Sequence, residues 1–152
     1  MAEVRYFFSS QFVVYETYAI IGFVYGNPRN WPFDHWINQS PNVVIVSVYY
    51  RLDSFGFLTH PDFVHDKSLG DLNAGFLDQK EALRWVQSHI SAFGGDPHKV
   101  TINGESAGGA SVELHLVARG EDGLFQSAIA QSVYRTPVPT PEEQRVSDRK
   151  EV

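Results

Sequence analysis

An α/β fold, with a mostly parallel central sheet and helices crossing over it, is predicted by three stretches of the sequence. Val43-Val-Ile-Val46 is continuously apolar, the pattern of a parallel strand buried on both faces. Residues 74–90 place Phe76, Leu83, Val86 and Ile90 on one helical face, as a crossover helix packed on a sheet requires. Val100-Thr-Ile-Asn103 then runs through a glycine-rich turn into a helix-compatible segment, 110–118. Strands separated by helices in this order pair in parallel, and a ligand of such a sheet sits at the carboxyl ends of its strands.

Taken in order, residues 1–12 carry no recognisable pattern. Val13-Val-Tyr-Glu-Thr-Tyr-Ala-Ile-Ile21 is rich in β-branched and aromatic residues and is a strand candidate, although Glu16 is unfavourable in a buried central strand. Residues 31–38 read as loop and short helix, and 42–49 as the buried strand. Gly56, Pro61 and several Asp mark 51–67 as a loop. In the long helix Asp78 lies near the N-terminus, where a negative charge suits the dipole. Phe93-Gly-Gly-Asp-Pro97 ends that helix, and 125–131 is a further strand. The charged tail 145–152 has no apolar periodicity, and with 1–12 it is expected to be poorly ordered.

A chain of 152 residues is expected to form one domain, burying roughly 68–70% of its extended surface if it folds alone. The net charge of −6, without a basic stripe, argues against nucleic-acid or anionic-membrane partners. No apolar run reaches the ~18 residues that span a bilayer, and the N-terminal stretch is not a clean signal peptide. With no Cys, disulfides do not indicate a compartment, and localisation is left unassigned. Asn38-Gln-Ser40 forms a glycosylation sequon but is followed directly by Pro41. His60 and His65 invite a metal reading, yet their spacing suits neither a helix face nor a strand face. A solvated loop is the expectation there.

The chemistry-bearing pattern is Gly104-Glu-Ser106-Ala-Gly108, between strand and helix. A G-x-S-x-G turn in that context reverses the chain so sharply that the positions two before and two after the serine crowd together, which favours Gly104 and Gly108. The serine hydroxyl is pushed out above the sheet. The N–H of Ala107, at the start of the helix, is without an intrahelical partner and is a candidate oxyanion donor. A glycine-rich turn carrying an ordinary serine is the alternative that five residues alone leave open. Glu105 is a general-acid candidate, but a sequence neighbour points away from the serine, so a fixed polar contact behind the turn is expected.

The turn and the stretch before it, Phe93-Gly-Gly-Asp-Pro-His-Lys-Val-Thr-Ile-Asn-Gly-Glu-Ser-Ala-Gly108, resemble the signature of the type-B carboxylesterase family, which includes cholinesterases and fungal lipases. The resemblance continues through Gly70-Asp-Leu-Asn-Ala-Gly-Phe-Leu-Asp-Gln-Lys-Glu-Ala-Leu-Arg-Trp-Val-Gln87, Asn42-Val-Val-Ile-Val-Ser-Val-Tyr-Tyr-Arg-Leu52 and Phe125-Gln-Ser-Ala-Ile-Ala-Gln-Ser132. It covers about Gly22 to Gln144. It implies a partial α/β-hydrolase fold, cut after the strand that follows the serine's helix. It also implies Ser106 as nucleophile, Asp78-Gln79 as support for the site, a small-molecule carboxylic ester as substrate, and neither cofactor nor metal. Family members are often secreted.

One departure concerns the oxyanion loop. Where the family has three glycines before a Phe, this chain has Ile20-Ile21-Gly22. β-Branched residues do not take the φ > 0 conformations open to Gly, so Gly22 is the one donor carried over. The residues before Gly22 are expected to replace the family's own N-terminal part.

A serine hydrolase of this fold also needs an acid and then a His, in that chain order. Only His115 follows Ser106, too far along the same helix to reach back. His35, His60, His65, His89 and His98 precede the serine and match no family catalytic position. The expectation is therefore a carboxylic ester hydrolase fragment, inactive as this chain alone, with acid and His beyond residue 152. The alternative is a non-catalytic α/β-hydrolase-like binding or interaction protein.

Overall fold

The computed structural model describes residues 3–5, 12–19, 22–30, 32–118, 123–134 and 140. Five strands form one sheet: β1 Glu3–Arg5, β2 Phe12–Ala19, β3 Val43–Ser47, β4 Val100–Ser106 and β5 Ser127–Gln131, in the spatial order β1-β3-β2-β4-β5. Among the described residues only the β1–β3 pair is antiparallel. The other three are parallel, in register at Phe12↔Val43, Val13↔Val100 and Thr101↔Ser127. The helices are α1 Asp34–Gln39, α2 Asp53–Phe57, α3 Pro61–His65, α4 Ala74–His89 and α5 Ala107–Val117.

The apolar run of β3 is buried on both faces, for two separate reasons. Val44, Val46 and Val48 join a core with Leu83, Val86 and Ile90 of the α4 side, Val100 and Ile102 of β4, and Val112 of α5. Ile45 instead packs with Phe33 and Ile37 around α1. Alternate residues of one strand thus serve two layers, which is why the strand carries no polar face.

Three expectations need correction. The 51–67 stretch is not simply a loop, because α2 and α3 lie within it. Each spans only 5 residues, too few for periodicity to show, and each is set by local contacts. Pro61 opens α3, and His60 Nδ1 accepts the Asp62 N–H at 3.3 Å. Gly56 lies where a Cβ would collide with the Arg51 carbonyl. The helix expected from residue 110 begins at Ala107, with Gly108 and Gly109 inside its first turn despite their low helix propensity. The third concerns residues 1–12, read as without pattern: β1 lies among them, and the strand expected from Val13 opens at Phe12 and is the central one, paired with β3 on one side and β4 on the other. Glu16 there sits in register with Ser47 and Asn103. The poor order expected for 1–12 and 145–152 falls on segments of which only Glu3–Arg5 and Phe12 are described.

Long polar side chains tie the layers together. Asp78 accepts the Arg51 guanidinium as a fork, from Nε to Oδ2 and from Nη2 to Oδ1, both at 2.7 Å, and the Arg51 backbone N–H at 3.1 Å. Those side-chain hydrogen bonds hold the Asp78 carboxyl below its usual pKa range. Gln87 Nε2 donates to the carbonyls of Pro97 and Leu124, at 2.8 and 2.9 Å, fixing the approaches to β4 and β5.

Candidate active site

β4 runs directly into α5, and the residue at the junction is Ser106, with φ 56° and ψ −117°. A non-glycine residue at positive φ is held there by its surroundings. On one side, β4 pairs with β2 up to Ala19↔Ser106, and on the other with β5 up to Glu105↔Gln131. Beyond β5 the chain bends back, and the Tyr134 N–H donates to the Ser106 carbonyl at 3.4 Å. Within the strand the buried Asn103 accepts from Gln131 Nε2 at 2.9 Å. Ser106 therefore stands at the carboxyl edge of the sheet, half-buried, where such sheets bind ligands.

Close packing at this junction is seen at Gly109, which sequence reasoning did not single out. A Cβ there would lie 2.7 Å from the Gln131 carbonyl oxygen and 3.2 Å from that of Gly104. Both are backbone atoms, so the first turn of α5 sits against β4 and β5 with no room for a side chain. Gly104 and Gly108 are buried on either side of Ser106, and Ala107, first residue of α5, is 1% exposed. Its N–H, being in the first turn, has no partner within the helix.

Other candidates fall as follows. The fixed polar contact expected of Glu105 is not found among the described residues, because its side chain is exposed. Gly22 adopts φ 56° and Phe23 φ 68°, so the chain turns left-handed just after β2. The Phe23 carbonyl accepts the Asp53 N–H at 2.8 Å, and the Phe23 and Phe57 rings lie 4.8 Å apart. Gly22 lines a groove of about 380 Å³ with Phe23, Asp53, Ser54 and Phe57. Ile20 and Ile21, the departure in this loop, lie outside the described residues.

No histidine is hydrogen-bonded to Ser106 among the described residues. His35, His60, His65, His89 and His98 are exposed. His60 is engaged with Asp62, and His89 Nδ1 with the Trp85 carbonyl. No group of three or more His, Asp or Glu among the described residues is placed to hold a metal. Nor is any described helix long and apolar enough to cross a membrane.

His115 is 2% exposed and lies nine residues beyond Ser106, about 13 Å along the helix at 1.5 Å per residue. Its ring stacks on Phe76, with centroids 4.3 Å apart, and its Nε2 meets Gln79 Oε1 at 3.1 Å. The other end of that amide, Nε2, donates to Ser111 Oγ at 3.1 Å. Burial, helped by the charge of Lys80, pushes the His115 pKa down to about 4, so the ring is neutral at pH 7. The Ser111/His115 pair was missed in the sequence, although a spacing of four from Ala107 puts all three on one helix stripe.

Residues 22–149 match the Carboxylesterase family. Acetylcholinesterase 4 of Caenorhabditis briggsae is 43% identical over 114 residues, covering 73% of this chain and 18% of that protein. Lipase 5 of Diutina rugosa is 44% identical over 121 residues, covering 73% of this chain and 22% of that protein. Among solved structures, Aspergillus niger EstA superposes with a TM-score of 0.71 at 39% identity, over 81% of this chain and 24% of EstA. The chain thus spans about a fifth to a quarter of the length of these relatives.

Proposed function

The chain belongs to the carboxylesterase family and carries part of an α/β-hydrolase fold, and on that footing we propose that it is the nucleophile-bearing part of a carboxylic ester hydrolase. In this reading Ser106 Oγ attacks the ester carbonyl carbon, its proton passes to a general base, and the alcohol leaves as the acyl-serine forms. The negative charge that develops on the carbonyl oxygen meets the Ala107 N–H at the positive end of α5, with Gly22 as a second donor. Gly104, Glu105 and Gly108 act as the structural frame of the turn. The observation that carries the reading is the strained Ser106 backbone at the β4/α5 junction, at the carboxyl edge of a parallel sheet. An acetylcholinesterase and a lipase among the similar proteins share the ester bond as chemistry, and the substrate class is proposed at that level.

The same reading makes this chain inactive by itself. Its six histidines are either exposed or, in His115, neutral and engaged with Gln79, and none hydrogen-bonds to Ser106 among the described residues. Loss of the base in a serine hydrolase lowers kcat on the order of 10⁶-fold, and the oxyanion donors alone leave roughly 10³–10⁴ over water.

Hydrolysis of a short-chain aryl ester is accordingly expected to be no faster than with Ser106→Ala. A fluorophosphonate probe is expected to label the chain negligibly in buffer and to mark Ser106 when free imidazole supplies the base. Stoichiometric labelling of Ser106 without imidazole would overturn the inactivity. A label spread over other serines in imidazole would overturn the assignment of the nucleophile and favour a non-catalytic role.

A further inference from the structure

The first turn of α5 carries no long side chain. Ala107, Gly108, Gly109 and Ala110 offer methyl groups or nothing, and Ser106 makes no side-chain cap hydrogen bond. Contact of Gly109 with the strand backbone sets the helix's height above the sheet. Polar groups lie further along the helix. Ala107, Ser111 and His115 recur every four residues and so form one stripe, two full turns long. A single amide on the neighbouring helix spans the upper two turns of that stripe, Gln79 Nε2 reaching Ser111 Oγ and Oε1 reaching His115 Nε2, each at 3.1 Å. Phe76, one turn before Gln79 on α4, stacks on the imidazole at an interplanar angle of 21° and fixes its plane.

We propose that Ser111 and His115, gripped by the two ends of the Gln79 amide, set the axial register of α5 on α4 and thereby aim the Ser106 hydroxyl and the Ala107 N–H. They are positioning residues, acting from about 7 Å (Ser111) and about 13 Å (His115) along a rigid helix of 1.5 Å rise per residue. Two hydrogen bonds to successive turns from one planar group leave one axial position at which both are satisfied, and a buried polar group left unsatisfied is disfavoured. The consequence for activity rests on the reading of Ser106 as nucleophile; the consequence for backbone placement does not.

The test uses the full chain and three variants, His115→Leu, His115→Gln and Ser111→Ala, each compared at a temperature where its denaturation curve shows it folded. Gln places an amide N–H near the position of the imidazole Nε2, whereas Leu fills the space without a donor. The first readout is the rate of imidazole-dependent fluorophosphonate labelling at Ser106. It is expected to fall about tenfold to a hundredfold in His115→Leu, as for a misplacement of about 1 Å, and to recover in His115→Gln. The second readout is the amide resonance positions of Ala107 and Gly108. They are expected to move in His115→Leu and Ser111→Ala and to return in His115→Gln, while those of Val100–Ile102 stay in place.

Resonances at Ala107 and Gly108 that ignore these substitutions, with changes confined to the surroundings of Phe76 and Gln79, would overturn the proposal. So would equal labelling rates across the folded variants. If the parent chain is not labelled even in imidazole, the nucleophile reading fails, and the backbone readout alone decides this one.

Discussion

Lowering the pH from 7 to 5 is expected to remove about 2 kcal/mol of the chain's stability through one ring, His115, and about 3 kcal/mol by pH 4. The folded pKa is pushed down to about 4 from an ordinary value of 6.5, first by burial and then by Lys80. Between those values the unfolded chain binds a proton that the folded chain refuses, so stability rises with pH across that window and is complete above it. Asp78 and Asp66 have depressed pKa values, so their contribution is present above the ordinary carboxylate range and lost only as pH falls below it. Of these three groups, only the imidazole contributes in the interval from pH 7 to 5. Small domains hold only about 5–15 kcal/mol in all, so the change is large enough to read from denaturant midpoints. His115→Gln, which does not titrate, is expected to flatten the profile in that interval. An unchanged pH dependence in the variant would mean that the ring protonates in place.

Gly109→Ala is expected to destabilise the chain by about 2 kcal/mol, against the usual direction of such a change in a helix. Alanine favours a helix interior by about 1 kcal/mol over glycine, and at an open position the variant would gain. Here the new methyl would meet the Gln131 carbonyl oxygen at 2.7 Å and its nitrogen at 3.3 Å, and the Gly104 carbonyl oxygen at 3.2 Å. Strand backbone cannot rotate aside as a side chain can, so α5 must lift from β4 and β5. Gly109→Val is expected to be worse. Urea titration of the chain and the alanine variant measures the difference, and a neutral or stabilised variant would show that the helix is not seated as closely as the geometry gives.

Local signals carried much of this structure. The uninterrupted valines of β3, the apolar face of α4 and the strand-turn-helix around Ser106 are each legible because their pattern and their burial agree. The family likeness was legible for the same reason, since its residues lie in these elements. The region 51–67 was less so, because α2 and α3 depend on caps and close backbone contacts at His60, Pro61 and Gly56 rather than on a repeat. β2 was the weakest-patterned strand and is the central one, because its place follows from pairing with two strands distant in sequence.

The sequence by itself determined the order of β2, α1, β3, α4, β4, α5 and β5, the serine at the turn and the place of His115 along the helix that follows it, since these are properties of spacing and residue type. Tertiary structure alone decided three things: that β2 lies between β3 and β4, that Gly109 has strand backbone against it, and that Gln79 grips Ser111 and His115. Each depends on groups distant in the chain meeting in space, as Gly109 meets Gln131, 22 positions on, and Gln79 meets Ser111, 32 positions on. Periodicity reports which face of an element is buried and carries no information about which atoms it is buried against.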